Sequence, residues 1–301
     1  MSVEMFFQKF DMLAETPEAM AQLRELVLRL AVTGCLSSPE LVDEPVAPLI
    51  ERLHRAKVES GRRVKVVDHG PIDGDFDPPI RIPDHWAWVR LCDIGTISGG
   101  HTPSKTVRRF WDGSVNWFTS QDIKSDDLHE SALKITEAAA SGPGLQLYPP
   151  GCLFMVARSG ILKRTFPVAI NRVPATANQD LKVLWPFVAD LDRYLQVMFR
   201  GLTGYILSHL VKTGMTVQSL KYDEFAAHPF PIPPLAEQRR IVAKVNQLMA
   251  LVDQLEAQLA AAHDTGEKLM AAVVHELTDV TSCREVAVSG PRIRARDSKL
   301  K

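Results

Sequence analysis

Residues 241–262 carry the pattern that most limits what this chain can become. Ile241, Val245, Leu248, Val252, Leu255, Leu259 and Ala262 alternate steps of four and three. That spacing puts all seven on one stripe of a helix, an a/d heptad seam. The stripe weakens at Gly266 and resumes with Leu269 and Val273. Read from Ala236 to Leu277, the helix is about 60 Å long at 1.5 Å per residue, longer than a domain of this size. A sustained seam calls for a partner helix, from the N-terminal part of the same chain or from another chain. Packing along its own domain is the plainer alternative. The dimer or partner interface expected from the seam is Ile241, Val245, Leu248, Val252, Leu255 and Leu259.

The 301 residues are enough for about two domains. Residues 1–80 read as an N-terminal helical region and linker. Thr16-Pro17-Glu18 is a helix start, Met20, Leu23, Leu26, Val27 and Leu30 follow at helical spacing, and Gly34 is a stop. A second helix is expected from Pro45 to Ser60, with Val46, Leu49, Ile50 and Leu53 as its stripe, and Gly61 to Pro79 reads as linker. Residues 81–235 hold all five Trp and all four Tyr and read as a mixed α/β domain. Trp88–Leu91 and Cys152–Val156 are strand-like, and Asp190–Leu210 is a helix broken around Gly201 and Gly204. Residues 236–278 form the long heptad helix. Residues 279–301 are a basic tail, expected to be disordered.

Several functions are excluded by what is missing. The longest apolar runs are too short to span a bilayer, and Met1–Asp11 does not read as a secretory signal. Cys35, Cys92, Cys152 and Cys283 form no CxxC pair, so no zinc site or disulfide framework is expected, and the compartment is read as cytoplasmic. Gly99–Thr106 ends like a phosphate loop, but Ser104 stands where the glycine before the lysine is needed. Arg158-Ser159-Gly160 is no nucleophile elbow, and His275-Glu276 lacks a second histidine. No Asn-Pro-Pro-Tyr-type methyltransferase signature and no nuclease acid pair with lysine is present. No catalytic or metal-binding residues are expected.

Overall charge does not advertise a nucleic-acid partner, since 35 Lys and Arg face 36 Asp and Glu. Within 81–235, however, cations cluster beside aromatic and amide side chains. Lys105, Arg108 and Arg109 adjoin Phe110-Trp111, and Arg158, Lys163 and Arg164 share one Gly-containing segment. Cations on loops suit phosphates, and Gln, Asn, Ser and Arg suit base edges. Residue chemistry marks Lys105, Arg108, Arg109, Trp111, Gln121, Arg158, Lys163, Arg164, Asn178, Gln179 and Gln218 as expected DNA contacts, and the family resemblance that follows adds Lys124 and Ser159. For any one of the amides, a solvated or fold-stabilising polar role is the competing reading. Trp86, Trp88 and Trp185 read as core.

The order of segments then becomes recognisable. Phe10–Ala14 and Leu23–Val32, Pro83–Leu91, Ser98–Lys105, Trp117–Ile123, Pro149–Gly151, Arg158–Leu162, Asn178–Asp180 and Pro231–Val242 follow one another as they do in Type I restriction-modification specificity subunits, which this chain resembles over residues 5–278. The resemblance implies a non-catalytic subunit: an α/β (α+β) target recognition domain that reads double-stranded DNA, with long coiled-coil-like helices as spacer and docking platform. It implies an adenine methyltransferase subunit as partner, using S-adenosylmethionine, and an ATP- and Mg-dependent restriction subunit. This chain itself is expected to bind no cofactor. Usual members carry two recognition domains and this chain shows one, so it resembles a half-length form. Such a form can pair with a second copy about a two-fold axis and read a split palindromic site. The alternative is a truncated or regulatory module that binds the methyltransferase subunit without reading DNA.

Overall fold

The computed structural model describes residues 17–38, 40, 44–62, 72, 76–214 and 217–288. The chain divides into two compact units. One comprises Ala21–Met249 and contains the recognition region. The other comprises Met1–Met20 and Ala250–Lys301, and its described part is helical.

The N-terminal helices form where periodicity places them: α1 is Pro17–Val32 and α2 is Val46–Glu59. The α1 helix ends in a left-handed residue, Gly34 at φ +74°, and Cys35 N–H reaches back to the Leu30 carbonyl at 2.9 Å. That six-to-one bond is the Schellman cap. A Cβ at Gly34 would also meet Pro83 Cγ at 2.4 Å, so both backbone conformation and packing require glycine. Val27, Ala31 and Val32 of α1 and Leu49 and Leu53 of α2 join the main core.

The recognition region opens with β1 (Ala87–Arg90), α3 (Leu91–Ile94) and β2 (Gly95–Gly99). It continues through β3 (Trp111–Phe118), β4 (Asp127–Leu128), β5 (Lys134–Ile135), α4 (Glu137–Ala140), β6 (Leu153–Val156) and β7 (Arg158–Ser159). Then come β8 (Val168–Asn171), β9 (Ala175–Ala177), β10 (Leu181–Pro186), α5 (Asp192–Gly201) and α6 (Thr203–His209). It closes with β11 (Val211–Lys212), β12 (Gln218–Leu220), α7 (Tyr222–Ala227), β13 (Pro229–Ile232) and the long helix α8 (Leu235–Val288).

A five-stranded sheet in the order β2-β10-β6-β8-β4 is the spine. Its strands β6 and β8 are buried at every residue, which is why β6 reads as an unbroken apolar run rather than an alternating one. Two three-stranded sheets, β5-β3-β9 and β11-β12-β7, carry the loops of interest. The first and last strands, β1 and β13, pair antiparallel with Ala87 opposite Ile232, so the region starts and finishes at one place. Pro229 and Pro231 fit there because a two-stranded ribbon leaves an edge where no N–H is needed. Phe166, Phe199, Phe225 and Phe230 pack against one another beneath this clasp, with ring centroids 5.4–6.1 Å apart. Trp86 is buried in the core, while Trp88 and Trp185 are half-buried.

A buried carboxylate ties the clasp to the start of α8. Glu237 has no solvent exposure. It accepts from Ser37 Oγ at 2.7 Å, Trp86 Nε1 at 3.2 Å and the His85 ring at 2.8 Å. Three segments, the turn after α1, the start of the recognition region and the first turn of α8, therefore share one anion.

The heptad seam divides in two. Ile241, Val245 and Leu248 pack against the chain's own core, so Ile241 and Val245, expected at a partner interface, are fully committed inside. Val252 is buried, Leu255 and Leu259 are half-buried, and Leu269, Met270, Val273, Val274 and Leu277 are exposed. The helix also runs further than expected, through residues 279–288 of the segment read as a disordered tail. Residues 289–301 lie outside the described part. Among the described residues no helix is long and apolar enough to cross a membrane.

Candidate nucleic-acid interface

Backbone hydrogen bonds bring four loop segments to one rim of the recognition region. Gly100 approaches Ala177 so closely that a Cβ would meet the Ala177 carbonyl oxygen at 2.0 Å, and the next amide, His101, donates to that oxygen at 2.9 Å. Asn178 N–H donates to the Phe118 carbonyl at 2.9 Å. The amides of Ala157 and Arg158 both donate to the Asp180 carbonyl, at 2.8 and 3.1 Å. β7 then pairs with β12, placing Gln218 opposite Ser159. The loop after β2, the turn after β3, the turn before β10 and the β7 segment are thus neighbours.

The residues that stand out in sequence mostly build this frame. The Trp117 indole is buried and donates to His101 O at 2.9 Å. The half-buried Trp111 indole donates to Ser104 O at 3.2 Å. The two rings meet edge to face at 5.2 Å, so the loop after β2 is stapled to β3 twice. Asp122 accepts from the Thr119 amide at 2.8 Å, the Thr119 hydroxyl at 2.7 Å and the Ala132 amide at 3.0 Å. The Trp, Thr and Asp of Trp117–Ile123 are therefore scaffold, and what they hold out to solvent is Gln121.

Two expected base readers are corrected. Asn178 is 7% exposed and Gln218 4%. Asn178 Oδ1 accepts from the Asp180 amide at 3.1 Å and its Nδ2 donates to the Asp180 carboxylate at 3.3 Å, a side-chain turn that shapes the chain. Gln218 Nε2 donates to the Gly214 carbonyl at 3.1 Å, and its buried Oε1 has no hydrogen-bond partner among the described residues. Their amide chemistry is legible in sequence; their burial is not.

The remaining candidates lie at the surface. Lys105, Arg108, Arg109, Lys124, Arg158, Lys163, Arg164, Gln121 and Gln179 are exposed, and Ser159 is half-buried. Ser159 Oγ caps the 3-10 turn Gly160–Lys163 by accepting from the Ile161 amide at 3.3 Å. None of the seven cations forms an ion pair among the described residues. Arg109 instead lies over the Phe110 ring at 5.6 Å. Lys124 and Arg164 line a separate groove of about 780 Å³, shared with Arg24, Leu28, Ile161 and Arg200. Thr102, absent from the sequence-based candidates, donates its hydroxyl to Gln179 Oε1. A lone Thr in a Gly-Gly-His-Thr-Pro run gives no sequence signal for such a contact.

A second set of arginines is fully engaged. Arg172 bridges Asp127 at 2.6 Å and Asp192 at 2.8 Å, Arg193 meets Asp127 at 2.6 Å, and Arg200 meets Asp126 at 2.6 Å. Partial burial alone would raise the Asp127 pKa. Hydrogen bonds from Arg193 and Arg172, and their charges, outweigh it and hold the carboxyl below its ordinary value. Among the described residues, no three His, Cys, Asp or Glu side chains come together as metal ligands.

Comparison with known proteins identifies the family. The family described as Type I restriction modification DNA specificity domain matches residues 83–262, which contain every segment of the rim. The specificity subunit of the Escherichia coli Type I restriction enzyme EcoR124I/EcoR124II is 34% identical over 169 residues, covering 56% of this chain and 42% of that protein. The Escherichia coli EcoAI specificity subunit is 27% identical over 289 residues, covering 90% of this chain and 46% of that protein. The solved HsdS subunit from Thermoanaerobacter tengcongensis aligns at 20% identity over 80% of this chain and 50% of that one, with a TM-score of 0.46. The chain thus spans somewhat under half the length of the curated relatives it matches, and it belongs to the Type I restriction modification DNA specificity domain family.

Proposed function

We propose that this chain is the DNA-reading, non-catalytic subunit of a Type I restriction-modification complex. The observation that carries the reading is the rim: exposed cations with no ion pair among the described residues, and two exposed glutamines, stand on a frame held by backbone hydrogen bonds and two stapling tryptophans. Lys105, Arg108, Arg109, Arg158 and Lys163 meet phosphates, and Gln121 and Gln179 reach base edges. Trp111 and Ser159 hold this surface in shape. The chemistry then comes from partners: a methyltransferase subunit that binds S-adenosylmethionine, and a restriction subunit that uses ATP and Mg.

The exposed half of the seam supports a dimer. Leu255, Leu259, Leu269 and Val273 continue the heptad beyond the residues used by the chain's own core, and two copies pairing through them would present two identical recognition domains. A two-fold protein reads a two-fold site, so the target is a split palindrome. The test is methylation by the co-purified complex. Replacing Arg158, Lys163 and Arg164 by Ala should abolish target methylation while the complex still assembles. Unchanged methylation in that variant would reject the reading.

A further inference from the structure

We infer that the groove beside the rim docks an acidic, apolar-anchored segment of the methyltransferase subunit, and that Gly204 leaves the room for it. The inference rests on the complex proposed above and adds the surface and the chemistry that would hold its methylating partner. The groove, of about 780 Å³, is lined by α1, the turns after β3 and β7, and the corner between α5 and α6. Every residue lining it belongs to the unit Ala21–Met249. Part of the lining is aliphatic: Leu28 and Leu207 are half-buried, and Ile161 is 39% exposed. Arg24, Lys124, Arg164 and Arg200 also line it, against Glu25 as the one acid. Arg200 is answered by Asp126 at 2.6 Å, whereas Lys124 and Arg164 are exposed and form no ion pair among the described residues. Aliphatic surface with an excess of cations complements a segment that carries carboxylates beside a large apolar side chain. A phosphate backbone would use the cations and leave Leu28, Ile161 and Leu207 unused, which favours a protein occupant over the duplex.

Gly204 points the same way. Its backbone is helical, within α6, where glycine is a poor residue, and a Cβ there would meet nothing within 4 Å. Neither conformation nor packing requires glycine at this position. Gly201 is the contrast: a Cβ there would meet Leu28 O and Val32 Cγ1, each at 2.6 Å, so α1 can pack against the end of α5 only over glycine. One glycine brings the walls together and the other keeps the groove clear for a close approach. The place suits the partner. Ile161 and Arg164 belong to the turn that follows β7, and Lys124 to the turn that carries Gln121, so the groove borders the DNA-reading rim. A subunit that methylates a base must stand where that base is read.

The test titrates the chain with its methyltransferase subunit at several salt concentrations, beside duplex binding by the chain alone. Gly204→Ala should assemble as the wild type does. Gly204→Trp fills the groove from a position with open space. It should weaken assembly about tenfold or more, with thermal midpoint and duplex binding unchanged. Gly204→Glu and Gly204→Lys separate charge from bulk. The glutamate should weaken assembly about fivefold more than the lysine, and the difference should shrink as salt rises. Wild-type assembly in Gly204→Trp, or equal effects of glutamate and lysine, would overturn the inference. So would loss of duplex binding in Gly204→Trp with assembly intact, which would give the groove to DNA. A wild-type chain that binds its duplex but takes up no methyltransferase subunit would remove the proposed complex, and the inference with it.

Discussion

Two groups of arginines on the recognition region differ in what their charge meets. Arg172, Arg193 and Arg200 are each answered by an aspartate at 2.6–2.8 Å. Arg158 and Arg164, with Lys163, have no carboxylate partner among the described residues and stand in solvent. The first group joins α5 to β4 and β8 and serves the fold. The second lies on and beside the rim, where its charge is left to a ligand. The lesson is that cation count carries little information here. A net of −1 conceals a local surface whose cations are spare, because the chain's acids are engaged or placed elsewhere.

The largest expected effect breaks the unpaired group. Each phosphate contact contributes a log–log salt slope of about 0.9, so removing Arg158, Lys163 and Arg164 together should weaken duplex binding about a hundred- to a thousandfold at 0.1 M salt. The slope should fall by about 2–3. Binding titrations at several salt concentrations check this, and the thermal midpoint should stay at the wild-type value. Breaking the paired group should do the reverse. Arg172→Ala leaves Asp127 and Asp192 without one shared partner. The groups are partly exposed, so the cost is about 1–2 kcal/mol of stability, seen in denaturant melts with duplex affinity unchanged. If Arg172→Ala weakened DNA binding as much as Arg158→Ala, the two groups would not be distinct.

Acid sharpens the same contrast. The Asp127 pKa is lowered in the fold. Its pairing therefore contributes stability above the ordinary carboxylate value, and that contribution is lost as pH falls through the lowered one. The Arg172→Ala, Arg193→Ala double variant should show a flatter stability profile below pH 4. His228 adds a second window. Burial, then the charges of His209 and Arg90, push its pKa down from 6.5 to about 4. The unfolded chain takes up that proton first, so stability should fall between pH 6.5 and about 4. His228→Phe should remove that part of the slope. The smallest effect belongs to Lys105→Ala, about a tenfold loss of duplex affinity with no change in melting.

Much of the fold is legible because it is periodic. α1 and α2 follow their apolar stripes, β6 is an unbroken apolar run, and the helix over Asp192–His209 is interrupted where Gly201 predicts it. There a Cβ would meet Leu28 O at 2.6 Å. Two-residue strands such as β4 and β7 carry no period and could not be read. The seam shows the limit of pattern: one heptad rule covers Ile241–Val273, yet the core takes Ile241, Val245 and Leu248 and leaves Leu269 and Val273 in solvent. Spacing specifies a stripe, not what covers it. The interface fails in a similar way. Arg158 and Gln179 are exposed, whereas Asn178 and Gln218 are buried and bonded within the fold. Thr102 bonds to Gln179, 77 residues away, a contact that no local reading supplies.

The central claim is that the rim reads DNA for a methylating complex, and a genome-wide methylated-base map with and without the gene tests it most directly. The account predicts that deletion erases one methylated motif, split and palindromic, while every other motif persists. A map identical in both strains would contradict it.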